Sequence, residues 1–242
     1  MIIVGNFKSY LSSKDDMLSV VRAADKIETK HSIILAPSFV HLGMVADKKH
    51  KVSFAAQDIS IFETGAHTGE VSAYVVANAG ASHVILGHSE RRAGGETDSI
   101  VATKVQHALA ARLKVVLCVG EEERDMHANY LSFITEQIVS ALKGVKDADF
   151  KNIVIAYEPI WAIGKDAAIT PDHLEEMVLF IKKVLMEHVG EKALKAIKIL
   201  YGGSVNPENV SSLMVPGVDG FLPGRASTNK DSLTALIKAI DA

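Results

Sequence analysis

The sequence predicts an α/β fold in which eight parallel strands alternate with helices and close into a (β/α)8 barrel. Three observations carry that expectation. Short, nearly continuous apolar runs recur eight times along 242 residues. Segments with helical periodicity lie between them. No obvious linker divides the chain, so one catalytic barrel domain spanning 1–242 is expected.

The apolar runs are Ile2–Phe7, Ile33–Ala36, Val52–Ala56, Val84–Leu86, Val115–Val119, Ile153–Tyr157, Ile197–Tyr201 and Gly220–Leu222. They are too short for buried helices and most are rich in Val and Ile. Strands buried on both faces, as in parallel sheets, read this way. After the first run, Met17, Val20, Val21, Ala24 and Ile27 share one helix face. The second, third and fourth connections carry weaker helical patterns, and Val40–Lys48 and Ser72–Ala79 are short. After the sixth run, Thr170-Pro171-Asp172 places a capping side chain before a first-turn proline, and Leu174, Met177, Val178, Ile181 and Leu185 form a stripe. Asn206-Pro207-Glu208 repeats the capping pattern after the seventh run, predicting a helix that starts near Pro207. Leu233, Leu236, Ile237 and Ile240 form the last stripe. A doubly wound open sheet is the competing architecture. Eight units with no second domain favour the closed ring.

Composition narrows the function classes. Hydrophobic residues make up 48%, enough for a sizeable core, and the formal charge of −3 argues against a general nucleic-acid binder. Any phosphate recognition is therefore local. The single cysteine, Cys118, excludes an intrachain disulfide and fits a reducing compartment. Met1–Asn6 carries no basic leader ahead of a long apolar run, so no secretory signal is expected. No apolar run approaches the ~20 residues that span a bilayer, so neither membrane nor nucleic acid is an expected partner. A soluble cytoplasmic protein is the expectation. None of the ten histidines pairs at ligand spacing with Cys or carboxylates, so no metal is expected.

Barrel active sites lie at the C-terminal ends of the strands. Polar and glycine-rich residues gather after those ends here: Asn6 and Lys8, the Gly87–Arg92 segment, the Glu158–Gly164 segment, the Gly202–Val205 segment, and Gly224 with Arg225. Glu158 ends an apolar run, which suits a partly desolvated carboxylate base; a surface acid is the plainer reading. His88 stands at a helix entrance, where partial positive charge favours neutral imidazole, a donor to a substrate oxygen. Lys8 reads as a rim lysine with Glu90 and an anionic substrate for neighbours. Gly203 and Ser204 offer successive backbone N–H groups, an anion cradle, and Gly224 supplies its second half. Pro159-Ile160-Trp161-Ala162-Ile163-Gly164 reads as exposed apolar residues, the mark of a lid closing on substrate or of a subunit contact.

These segments, with Ala56-Gln57-Asp58, Gly65–Glu70, Gly95–Asp98, Cys118–Glu121, Tyr201–Val205 and Asp219–Leu222, resemble triosephosphate isomerases over nearly the whole chain. The resemblance implies a TIM barrel without cofactor. It further implies interconversion of dihydroxyacetone phosphate and glyceraldehyde 3-phosphate through an enediol, a step of glycolysis and gluconeogenesis. Glu158 is then the base and His88 the proton shuttle, while Lys8 and Asn6 stabilise developing charge. N–H groups of Gly164, Ser204, Gly224 and Arg225, beside Gly203, hold the phosphate. Ser89, Glu90, Cys118 and Tyr201 support the site, and Cys118 also reads as a packing thiol. The lid comprises Pro159, Ile160, Trp161, Ala162 and Ile163, with Lys165 and Asp166 at its hinge. A homodimer is implied, with the 65–70 loop inserting into the partner and Thr68 reaching toward the partner's site.

The chain departs from that pattern in four places. The lid's second hinge reads Gly164-Lys165-Asp166-Ala167-Ala168. The loop after strand eight reads Pro223-Gly224-Arg225, where Arg225 either points outward or adds charge beside the phosphate. Ala93-Gly94 trims a loop near the subunit interface, and His67 replaces an aromatic residue in the inserting loop. Two other functions compete: a catalytically weak sugar-phosphate binder or interaction protein on the same fold, and a barrel isomerase for a larger phosphorylated sugar.

Overall fold

The structure is a computed structural model describing residues 1–46, 49–162 and 169–242. Its strands are β1 (Ile2–Asn6), β2 (Ser32–Ala36), β3 (Ser53–Ala56), β4 (His83–Leu86), β5 (Lys114–Val119), β6 (Ile153–Tyr157), β7 (Lys198–Tyr201) and β8 (Gly220–Phe221). They pair in chain order, all parallel, and the ring closes through β8 and β1. The expected barrel is therefore present, and each strand lies where its apolar run predicted.

Closure rests on two residue pairs, Ile2 with Gly220 and Ile3 with Phe221. A side chain at 220 would collide with the carbonyl of Ile2, so only glycine lets the last strand approach the first. Alternate residues then divide into two cores. Val4, Ile34, Ala55, Ile85, Val116, Ala156 and Leu200 fill the barrel interior. Ile3, Leu35, Phe54, Val84, Leu117, Ile155 and Ile199 pack outward against the helices. Each fully buried Leu or Ile contributes roughly 1.5–3 kcal/mol, so both faces of every strand must stay apolar at mid-height.

The helices are α1 (Lys14–Asp25), α2 (Phe39–Val45), α3 (Ala73–Asn78), α4 (Ser89–Ala93), α5 (Asp98–Ala110), α6 (Asn129–Leu142), α7 (Pro171–Val184), α8 (Glu191–Ala196) and α9 (Lys230–Asp241). Thr170 caps α7 by accepting from the His173 N–H at 3.3 Å, with Pro171 in the first turn as its sequence predicted. The segment after β7 differs from expectation. Asn206 Oδ1 does accept from the N–H groups of Glu208 (3.0 Å) and Asn209 (2.9 Å). The chain then makes a turn at 207–209 and a short 3-10 helix, Val210–Leu213, rather than a helix beginning near Pro207. The side chain of Asn209 turns back to the Ser204 carbonyl at 3.0 Å, which ties this segment to the barrel rim. Among the described residues no helix is long and apolar enough to cross a membrane.

His83 opens β4 beside Lys114, its partner across the ladder. Burial, and then the Lys114 charge, lower its pKa from 6.5 to about 4. The folded chain thus holds neutral a ring that the unfolded chain protonates below pH 6.5. The associated stability is complete above that pH and is lost as pH falls toward 4. Denaturant titrations across this window are expected to show a falling midpoint. His83→Gln should remove up to about 3 kcal/mol of that fall.

Candidate active site

The loops after β1, β4, β6, β7 and β8 surround one cavity of about 730 Å³. Asn6, Lys8, His88, Glu158, Gly203, Ser204, Gly224 and Arg225 all line it. Positions singled out in the sequence are thereby brought to one site, although they span more than two hundred residues of chain.

Glu158 follows β6 directly and is 2% exposed. Its N–H donates to the Val119 carbonyl at 2.8 Å, which continues the β5–β6 ladder by one residue. Its Oε1 stands 3.2 Å from His88 Nε2, and its Oε2 accepts from the Ser89 N–H at 3.1 Å. Gly120, at the end of β5, lies against the Glu158 backbone so closely that a methyl group there would overlap the Glu158 carbonyl. The amide of Gln137 grips Gly120 from α6, accepting from its N–H at 2.9 Å and donating to its carbonyl at 3.3 Å. Beneath the carboxylate sits Cys118, fully buried. Burial, and then the Glu158 charge, push this thiol well up, so it stays protonated and acts as packing.

His88 caps the five-residue α4. Its Nδ1 accepts from the Glu90 N–H at 3.2 Å, which places the proton of a neutral ring on Nε2. That N–H faces the cavity and Glu158. The helix entrance thus performs two tasks: it fixes the imidazole tautomer and it supplies the Ser89 N–H that holds the carboxylate.

Lys8 reaches Glu90 Oε1 at 2.6 Å, a contact its sequence position had suggested. Glu90 is 60% exposed, and such ion pairs are worth about 0–1 kcal/mol. The pair therefore aims the ammonium without competing strongly with an anionic ligand. The Lys8 backbone is left-handed, with φ 47°. A non-glycine residue held there costs on the order of 1–3 kcal/mol. Asn6 Oδ1 accepts from the Lys8 N–H at 3.0 Å, and Gln57 Nε2 donates to the Lys8 carbonyl at 2.9 Å. These bonds hold the strained turn in place.

The opposite wall comes from β7 and β8. Gly203 and Ser204 follow the buried Tyr201, whose phenol is pushed up to about 12 by burial. The Ser204 hydroxyl donates to the Ala162 carbonyl at 3.2 Å. Gly224 lies 3.5 Å, measured from a would-be side chain, from the Lys8 stem. The carbonyl of Pro223 accepts from the Asn6 N–H at 3.0 Å, so this loop is pinned to β1. Arg225 opens a short 3-10 helix, Arg225–Ser227, and is exposed while lining the cavity.

The first part of the expected lid corrects one reading. Pro159 and Ala162 are buried, and Ile160 and Trp161 are half-buried, rather than displayed to solvent. Trp161 Nε1 donates to Glu121 Oε1 at 2.9 Å, as does the Tyr157 hydroxyl at 2.9 Å. Arg124 Nε joins them at 3.1 Å, and its guanidinium lies 5.3 Å from the Trp161 ring centre. Three donors converge on one fully buried carboxylate oxygen. Ile163, Gly164, Lys165 and Asp166 lie outside the described residues.

Thr68 is exposed in the turn at 65–70 and does not line the cavity. Sequence reasoning missed several positioning residues. Gln57 and Glu121 stood inside quoted segments but carried no assigned role. Gln137 and Arg124 left no signal, because nothing in the local pattern distinguishes a buried amide or a clamping guanidinium from surface residues. Tyr10, Asn229 and Asp231 also line the cavity unannounced.

Comparisons with known proteins agree with this geometry. The profile of the family described as triosephosphate isomerase matches residues 1–240. The chain is 39% identical to a triosephosphate isomerase of Geotalea uraniireducens, covering 98% of this chain and 97% of that one. It is 36% identical to that of Flavobacterium johnsoniae, over 99% and 98%. The Thermus thermophilus protein of the same name is 36% identical, over 98% of each chain.

Gly120→Ala is expected to destabilise the protein by about 1–3 kcal/mol through overpacking and to move Glu158. Gly43→Ala, in the middle of α2 with nothing within 4 Å, provides the contrast. It should be neutral or stabilising by up to about 1 kcal/mol. Parallel chemical unfolding of the two variants checks both.

Proposed function

The chain belongs to the triosephosphate isomerase family, and we propose that in it Glu158 is the base that carries the substrate proton between adjacent carbons. The enzyme interconverts dihydroxyacetone phosphate and glyceraldehyde 3-phosphate. The observation that carries the assignment of Glu158 is the buried pairing of its carboxylate with the His88 Nε2 and the Ser89 N–H.

Substrate enters between the two catalytic side chains. Its oxygens take the His88 Nε2–H that otherwise points at Glu158. The released carboxylate then faces the C–H bond to be broken. Glu158 removes the proton from one carbon and returns it to the next, while the His88 ring, with its other nitrogen engaged by the Glu90 N–H, gives its Nε2 proton to the oxygen that becomes negative and takes back the hydroxyl proton of the neighbouring oxygen as the new carbonyl forms. Lys8 and Asn6 add positive charge and a hydrogen bond on the same side. The phosphate lies at Gly203, Ser204, Gly224 and Arg225, where backbone N–H groups rather than net charge do the holding. Trp161, anchored on Glu121, marks where the lid begins. A closed lid excludes water from the enediol.

Glu158→Gln keeps the shape and removes the base. Steady-state turnover of glyceraldehyde 3-phosphate should fall by roughly 10²–10⁴-fold, with unfolding behaviour retained. An undiminished rate would sink the assignment.

The subunit arrangement belongs to the same reading. Tyr10, Phe39, Val40, Phe62, Tyr74 and Val75 are large apolar residues left exposed, and they follow β1, β2 and β3, which are neighbours in the ring. His67 stacks on Phe62 with ring centres 4.1 Å apart, so the substituted loop keeps a flat aromatic face. A monomer rarely leaves so much apolar surface on one side. A homodimer formed through this side, with Thr68 near the partner's cavity, covers it. Sedimentation equilibrium is expected to give twice the 26.0 kDa chain mass; a monomer at micromolar concentration would refute the arrangement.

A further inference from the structure

A second cavity lies at the opposite end of the barrel, where the strands begin. It measures about 270 Å³, and Ser32, Ser53, His83, Lys114, Lys151 and Lys198 are among its lining residues. The strand register explains their convergence. Lys114 and Lys198 open β5 and β7, and Lys151 precedes β6 between them. Lys114 sits two residues before Val116, and Lys198 two before Leu200, both interior positions, so the period of two turns each lysine toward the mouth of the cavity, where all three lysines stay exposed to solvent.

Among the described residues no Asp or Glu lines this cavity. Within the same residues none of the three lysines has a carboxylate within 4.0 Å, so their charges meet at the cavity without an ion-pair partner. The acid that precedes β8, Asp219, is engaged by the Ile199 N–H at 2.9 Å. The chain carries a net charge of −3, so three lysines gathered without a counter-charge are a local feature rather than the general character of the surface.

We propose that this floor cavity binds a compact multivalent phosphate. Three ammonium groups on three adjacent segments suit a ligand with several charges close together, and lysine binds phosphate as a point charge without demanding planar geometry. The volume is at the small end for ligand sites, which admits a pyrophosphate or a short bisphosphate and excludes a nucleotide. Ser32 and Ser53 supply hydroxyl donors beside the lysines. The neutral His83 adds a polar ring without further charge repulsion among the cations.

The test uses the full chain with two probes, inorganic pyrophosphate and 2,3-bisphosphoglycerate, in isothermal titrations. Each is run on the wild type, on Lys114→Gln/Lys198→Gln, and on Lys8→Met. The Lys8→Met chain is expected to retain the floor site while its rim site weakens. The double variant should bind at least about tenfold more weakly at the floor, with triose phosphate turnover unchanged. In the Lys8→Met background the His83 ring signals should shift in the NMR spectrum as probe is added. Tighter binding of one probe identifies an inorganic or an organic source. Absence of binding to Lys8→Met, or equal affinity in the double variant and the wild type, overturns the proposal.

Discussion

The two-pair ladder between β1 and β8 is the contact on which the site depends. It is one of the shortest seams of the ring, and glycine at 220 is what allows it. Closing it brings the Pro223 carbonyl onto the Asn6 N–H and Gly224 beside Lys8. Residues from the two ends of the chain thereby share one wall of the cavity. An open sheet with the same strands would leave Lys8 and Arg225 at opposite edges, and the charge facing Glu158 would be absent.

Around that ring, the site is held by backbone groups more than by side-chain pairs. Ser89 contributes its N–H to Glu158, Glu90 its N–H to His88, and Gly120 its missing side chain to the Glu158 backbone. Such groups cannot rotate away, so the Glu158 carboxylate and the His88 imidazole keep their mutual distance without an entropic cost. The side chains that do contribute from behind are buried and many-handed. Glu121 collects three donors on one oxygen, and removing a partner from a buried charge of that kind costs on the order of 3–5 kcal/mol. Exposed pairs such as Lys8 with Glu90 are weak and exchangeable, which is useful where an anion must enter.

The strands were legible because parallel strands bury both faces, and eight short Val- and Ile-rich runs have few other meanings. α7 was legible through Thr170, Pro171 and its stripe. α5 was harder, since its buried face reads Val101, Lys104, Val105, Ala108 and the lysine interrupts the apolar spacing. That lysine is satisfied by Asp58 at 2.8 Å and by Glu96, partners far from it in sequence or on another loop. Asn206-Pro207 misled for a related reason. The capping bonds form, but Asn209 turns its amide to Ser204 and a 3-10 turn follows. At the site, Glu158, His88 and Lys8 were readable from their places after apolar runs. Gln137 and Arg124 were not, because their roles arise only when α6 and the loop before it fold over Gly120 and Trp161.

The same period of two that places the rim residues also builds the floor. Along β7 and one residue past it the inward positions run Lys198, Leu200, Gly202, and along β5 and one residue past it they run Lys114, Val116, Cys118, Gly120. Each strand is polar at its start, apolar in the middle and permissive at its end. The apolar layers between keep water from connecting the two cavities. Four residues of strand separate floor from rim by about 13 Å, and at that distance a unit charge acts on Glu158 with about 1 kcal/mol for an effective dielectric near 20. His88 and Ser89, at 3.2 and 3.1 Å, act far more strongly. The reactivity of the carboxylate is therefore set by its contacts at the rim. An anion seated on the floor lysines opposes their charge and so lessens what of it reaches the rim.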